Sequence, residues 1–319
     1  MDTQSMIILG NGFDVALGIE TKYSQFYKKS QDLRTFTKSG NNLCQHILDN
    51  IKDGYWSDLE CGLYKYSLAI TQKYGIGNQE QADKFERDFN ELRTALFNYL
   101  KDAAGTIVEV SKEAPVLGLN VEWHKLEPQY LTFNYSINTA NTASMNGRYI
   151  LNCDDSINEN HFIYQHGSIY DMHACQNRLS EDIVVGIDPS SQPVEAAHSF
   201  LYKTHQCIHD LNSTLNFIKK KKFYAVYGCS VGDSDATYFR AIFNQNQQDK
   251  TFLIYGFGQA AIDSIKANIE RICSIDINTL EVNNRVCFLD VKQVEATRNK
   301  TREAVENYIK SIVGKATRV

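Results

Sequence analysis

The chain has 319 residues, 43% hydrophobic and 22% charged, with a formal net charge of −5. That length buries a sizeable core without staples, the composition speaks against disorder and a membrane class, and the acidic balance speaks against general attraction for nucleic acid. The eight cysteines (Cys44, Cys61, Cys153, Cys175, Cys207, Cys229, Cys273 and Cys287) form no CxxC pair, which argues against a zinc knuckle or a small disulfide framework and for a reducing cytoplasm. The start, MDTQSMIILG, lacks the basic and long apolar stretches of a signal peptide, and no window approaches about 18 uninterrupted apolar residues, so a cytoplasmic protein without membrane spans is expected.

In chain order, Met6 to Leu9 is a short apolar run broken by Gly10-Asn11-Gly12, after which Phe13 to Leu17 opens a helix. From about Tyr27 to Ala114 the spacing is helical, with Phe85, Phe89, Leu92, Leu96 and Leu100 at three- and four-residue steps. Short strands are then predicted at Tyr130 to Phe133, His161 to Tyr164, Ile183 to Val185, Phe223 to Tyr227, Phe252 to Tyr255 and Val286 to Leu289, with helices around Ala236 to Phe243, Ala260 to Ile272 and Thr301 to Ile312. Several strands are continuous apolar runs, as strands covered on both faces of a parallel sheet require. The basic run Lys219 to Lys222 reads as a solvated helix end. The expectation is one α/β domain over residues 1–319, a Rossmann-like doubly wound and mostly parallel sheet, with a helical insertion at 27–114 after the first βα unit.

In such a sheet ligands bind beyond the carboxyl ends of the strands, so the junctions there carry the functional argument. Gly10-Asn11-Gly12-Phe13-Asp14 is either a turn that lets a phosphate or ribose approach the backbone or a purely structural tight turn; it is not a GxGxxG match, because the next glycine is Gly18. Asn134, after Thr132-Phe133, and His166, before Gly167-Ser168, would reach the same edge, although each alone also suits a loop former. Gly228-Cys229-Ser230 places small residues after a buried strand, and Asp235 either accepts from ribose hydroxyls or caps the helix near Ala236. In Trp56-Ser57-Asp58-Leu59-Glu60, Ser57 and Glu60 have capping-box spacing, while Asp58 and Glu60 could instead reach the pocket from the helical block.

Taken in order, ILGNGFDVALGIETKYSQF, WSDLE, TFNY, QHG and YGCSVGDSDATYF resemble the motifs of the AbiH abortive-infection family over roughly residues 6 to 240, and the spaced string GNGFD…G…T.Y..F is specific. AbiH-like proteins are in turn similar to the sirtuin superfamily, in which a glycine loop holds NAD, an Asn and a His-Gly surround the nicotinamide ribose, and a Gly-x-Ser contacts the adenosine side. By position the resemblance assigns Gly10 and Gly12 to the first loop, Asn134 and His166 to the nicotinamide ribose, and Gly228 with Ser230 to the later turn. Two departures stand out: no four-cysteine zinc module is present, so no zinc and no protein deacylation are expected, and Tyr135 and Ser136 follow Asn134 where many sirtuins have Asn-x-Asp.

The resemblance thus implies an anti-phage effector that binds NAD and hydrolyses it to nicotinamide and ADP-ribose. Asn134 would orient a water or a ribose hydroxyl, His166 would accept a proton, Gly10, Asn11 and Gly12 with Phe13 and Asp14 would form the cofactor loop, and Asp235 or Ser230 would bind the other ribose. Alternatives are a module that senses NAD or ADP-ribose without cleaving it, and a nuclease or nucleotide hydrolase using Asp14, Asp58, Glu60 and Asp235. A phage-derived activator or a co-encoded defence partner, and a homo-oligomer, are also expected; nucleic acid and membrane are not.

Overall fold

β1 (Ser5–Leu9) is buried at every position, as a strand covered on both faces must be. In the computed structural model, the structure describes residues 4–16, 18–52, 58–104, 126, 128–136, 162–166, 183–206, 211–243 and 248–316. β1 pairs in parallel with β2 (Gln129–Thr132) on one side and β4 (Phe223–Tyr227) on the other. β3 (Phe162–Tyr164) adds to β2, while β5 (Thr251–Gly256) and β6 (Arg285–Asp290) extend the sheet past β4, every pair parallel. The order β3-β2-β1-β4-β5-β6 is that of a doubly wound Rossmann-like fold, whose strand order reverses between β1 and β4.

Alternate side chains build the two faces. Ile7, Leu9, Ala225, Tyr227, Leu253 and Tyr255 face one core with Phe13, Val305 and Tyr308. Met6, Ile8, Leu131, Tyr224, Val226, Phe252 and Ile254 face another, covered by Ile265 and Ile269 of the helix Gln259–Cys273 and Phe239 of the helix Ala236–Ile242.

Between α1 (Asn11–Ala16) and β2 the chain forms α2 (Tyr23–Lys29), α3 (Gln31–Lys38), α4 (Asn42–Asp49), α5 (Leu59–Tyr74) and α6 (Gln79–Ala104). The expected stripe Phe85, Phe89, Leu92, Leu96 and Leu100 is buried on α6, against Leu33, Leu43, Ile47 and Leu63. Residues 105–114 of the expected insertion lie outside the described residues.

Three expectations need correction. Ile183 to Val185 joins no strand of the six-stranded sheet. Its backbone is instead taken up by Arg93 Nη2 on the Ile183 carbonyl (2.9 Å), Tyr135 Oη on the Val184 carbonyl (2.8 Å) and the Val184 N–H on the His166 carbonyl (2.8 Å), and the Ile183 and Val185 side chains enter the helical core. A short apolar run reports burial, and burial alone does not specify a ladder partner. Secondly, the basic run is not wholly solvated: Lys221 is buried, its ammonium 3.8 Å from the Phe217 ring centroid and donating to Gln129 Oε1, so its stem packs while its charge finds partners. Thirdly, α5 begins one residue later than a Ser57 cap would set it, because Asp58 is the N-cap and accepts from the Cys61 N–H at 3.0 Å. Ser57 and Trp56 lie outside the described residues.

Candidate active site

At the switch point two glycine turns interlock. The Gly10 N–H donates to the Tyr227 carbonyl and the Gly12 N–H to the Gly228 carbonyl, each at 2.9 Å, and the Phe13 N–H donates back to the Gly10 carbonyl at 2.8 Å. A Cβ on Gly12 would stand 2.7 Å from the Gly228 Cα, and one on Gly228 would stand 2.4 Å from the Phe13 nitrogen with φ already at +70°. The close approach that demands glycine here is therefore backbone to backbone.

A cavity of about 490 Å³ opens over this turn pair, within the size range of small-molecule sites. Of the residues singled out from sequence, Gly10, Asn11, Asp14, Asn134, His166, Gly228, Ser230 and Asp235 all line it. Gly12 and Phe13 do not; Phe13 packs edge-on against Tyr227 in the core, with ring centroids 5.8 Å apart. Asn11 accepts from Thr21 Oγ1 at the cavity wall, and the exposed Lys22 reaches the same wall from the loop before α2.

One side of the cavity is a buried amide and carboxyl pair. Asn134 Nδ2 donates to the Gly10 carbonyl at 2.9 Å and to Asp14 Oδ1 at 3.2 Å, while Ser136 Oγ donates to Asp14 Oδ2. Burial pushes the Asp14 carboxyl up to about 7, against the pull of the bonds from Ser136, Asn134 and Thr21. Both amide protons of Asn134 are thereby spent, and its buried Oδ1 has no donor among the described residues.

The other side is a charge cluster. His166 Nε2 lies 2.9 Å from Asp235 Oδ1, and Lys203 Nζ donates to that same oxygen at 2.9 Å while standing 3.3 Å from His166 Nε2. Glu60 Oε1 is 3.9 Å from Lys203 Nζ and accepts from Tyr23 Oη at 3.0 Å. Burial and then the Lys203 ammonium hold His166 below its ordinary value, so near neutral pH the imidazole is uncharged. Burial works against the Asp235 charge, yet Lys203 and His166 outweigh it and hold the carboxyl well below the usual carboxylate range. For Glu60 burial dominates, and despite Lys203 its carboxyl is pushed up to about 8.

A sequence model described as bacteriophage abortive infection AbiH matches residues 6–256, well over half of the chain. The chain belongs to the AbiH family. None of the curated proteins matches it. The matched span of this AbiH chain runs from β1 through β5 and so holds every residue of the cavity wall.

The structure sets aside one of the two sequence readings of Asp235, the helix cap. It occupies the N-cap position of the helix Ala236–Ile242 without a side-chain capping bond, because its carboxylate is turned to His166 and Lys203. The Thr237 N–H is met instead by Asp188 Oδ2 at 2.7 Å. Glu60, tied to Tyr23, is drawn into the site, as the WSDLE segment allowed.

Sequence reasoning missed Lys203. It sits in SFLYKTHQ, where neither a motif nor a strand end marks it; its only signal is a lysine beside the apolar residues Phe200, Leu201 and Tyr202. Among the described residues no group of three or more His, Cys, Asp or Glu is arranged to hold a metal ion, and no helix is long and apolar enough to cross a membrane. The described cysteines, Cys44, Cys61, Cys229, Cys273 and Cys287, are free thiols.

Proposed function

We propose that this chain is an abortive-infection effector that binds NAD in the sheet-edge cavity and hydrolyses it to nicotinamide and ADP-ribose. The observation that carries the reading is the convergence of Asn134, His166 and Asp235, from three separate strand ends, on one cavity at the switch point of the sheet, where dinucleotides bind in doubly wound folds.

Water adds to the ribose C1′ as the bond from C1′ to the nicotinamide nitrogen breaks. The nicotinamide leaves as a neutral base, so it needs no general acid, and the proton lost from water goes to a base. His166 supplies that base in its uncharged form, and Asp235 beside Nε2 stabilises the imidazolium that results. Asn134 Oδ1, without a donor among the described residues, is an acceptor fixed in place by its own amide bonds and suited to a ribose hydroxyl or to the attacking water. This arrangement favours the oxocarbenium-like transition state by orientation and proton transfer, the latter worth about 10²–10⁴-fold.

The N–H groups of Gly10, Gly12 and Phe13 are already bonded within the paired turns, so in this reading the pyrophosphate takes its donors from side chains at the wall, Asn11, Lys22 and Ser230. Because unrestrained NAD loss would kill the host, the enzyme is silent until a phage-derived activator, a co-encoded partner or assembly into a homo-oligomer releases it.

The test is to incubate purified protein with NAD, alone and with phage-infected lysate, and to follow nicotinamide and ADP-ribose by chromatography. Release by the parent chain and by neither Asn134→Ala nor His166→Ala supports the reading. Calorimetric binding of NAD with no product under both conditions would replace the hydrolase by a sensor.

A further inference from the structure

A buried ammonium is held only where carboxylates or carbonyls meet it, and Lys203 is 4% exposed. Three groups meet it from three parts of the fold: Asp235 after β4 at 2.9 Å, the His166 imidazole after β3 at 3.3 Å, and Glu60 in the first turn of α5 at 3.9 Å. All three partners line the cavity and Lys203 does not. We propose that Lys203 is a positioning residue of this site: from behind the cavity wall its ammonium clamps Asp235 and the His166 imidazole, and the helical block holds it there through Glu60.

The segment that carries Lys203 is itself fastened to α5. Glu195 accepts from Thr71 Oγ1 at 2.8 Å and from the Gly77 N–H at 2.7 Å, and His198 Nδ1 lies 2.8 Å from Ser67 Oγ. The Lys203 N–H then donates to the Ile187 carbonyl at 3.0 Å. One helix thus supplies both the anchor of the lysine backbone and, through Glu60, a carboxyl oxygen for its side chain.

The chemistry of the clamp follows from which form of His166 each neighbour favours. One ring nitrogen bonds the Phe133 backbone, so Nε2 is the nitrogen that faces Lys203 and Asp235. An ammonium at 3.3 Å favours the lone pair on Nε2, whereas a carboxylate at 2.9 Å favours a proton there. Among the described residues the remaining neighbours are the uncharged Phe133 and Tyr135 rings, at 5.1 and 6.0 Å between centroids, and Glu60 with Asp58 behind Lys203. Without Lys203 the imidazole would face the Asp235 carboxylate with no cation beside it among the described residues, and it would hold its proton into the neutral range.

This role rests on His166 being the working base of the proposed reaction, but its direct readout needs no NAD. In full-length protein carrying ¹³C-labelled histidine, the His166 ring signal, assigned by its loss in His166→Asn, is titrated in the parent, Lys203→Met, Lys203→Arg and Asp235→Asn. The expected result is a midpoint raised by about one unit or more in Lys203→Met, tenfold in proton affinity, restored to near the parent value in Lys203→Arg and lowered in Asp235→Asn. An unmoved or lowered midpoint in folded Lys203→Met overturns the proposal. If that variant does not fold, an unmoved or raised midpoint in Asp235→Asn overturns it as well.

Nicotinamide release is measured on the same proteins across pH, with phage-infected lysate present. Expected midpoints with no turnover in any protein leave the clamp standing and remove the hydrolase reading; turnover with an unmoved midpoint does the reverse.

Discussion

The Cα of Gly228 occupies the space that a side chain on Gly12 would need, 2.7 Å from where its Cβ would stand. The turns after β1 and β4 are thereby pressed together at the point where the strand order reverses, and the cavity lies over their contact. Gly228→Ala has to overcome both a backbone clash and a φ of +70°. It is expected to cost at least about 1–3 kcal/mol, read as a lower urea midpoint with an unchanged slope. A midpoint equal to that of the parent would mean that the two turns do not interlock in solution.

The buried carboxyls make stability depend on pH with a definite sign. Asp14 goes from 3.8 unfolded to about 7 folded, and Glu60 from 4.5 to about 8. Each native group holds its proton longer than the unfolded chain does, so the contribution is fully present below the unfolded values and is lost as pH rises through the folded ones. Urea unfolding of Asp14→Asn should accordingly show a gain over the parent that is small near pH 4, grows to pH 7 and then levels off. A gain independent of pH would count against a protonated Asp14.

Asn134→Ala removes the two donors that hold Asp14 Oδ1 and the Gly10 carbonyl, together with a buried acceptor that has no donor among the described residues. Stability should fall by about 1–3 kcal/mol, and nicotinamide release should drop by at least about 10²-fold in kcat/KM. A folded variant that retains turnover would take Asn134 out of the reaction.

Lys22 is exposed at the wall, so its effect on a phosphate is that of a screened charge. Lys22→Ala should raise KM for NAD several-fold with little change in kcat, and the difference from the parent should shrink as salt is added. A change confined to kcat would place Lys22 in the chemical step.

The elements that were legible in the sequence are those whose pattern is local. Continuous apolar runs marked β1, β4, β5 and β6, three- and four-residue spacing marked α6, and the residues after the strand ends marked Asn134, His166 and Asp235. The strand-like run Ile183 to Val185 misled because its burial comes from the helical core and its carbonyls are met by Arg93 and Tyr135, partners far away in sequence. Lys203 was silent for the same reason. A lysine has no periodicity of its own, and only the juxtaposition of Asp235, His166 and Glu60 makes a buried ammonium tolerable there.

The sequence by itself determined the doubly wound α/β class, the AbiH motifs and which residues stand at the carboxyl ends of the strands. Tertiary structure alone decided the order β3-β2-β1-β4-β5-β6, the interlocked glycine turns, the turning of Asp235 away from its helix, the raised carboxyls of Asp14 and Glu60 and the uncharged imidazole of His166. The reason is physical: propensity, spacing and turn chemistry act over a few residues, whereas desolvation and ion pairing depend on groups brought together from up to about two hundred positions apart, such as Glu60 and Asp235.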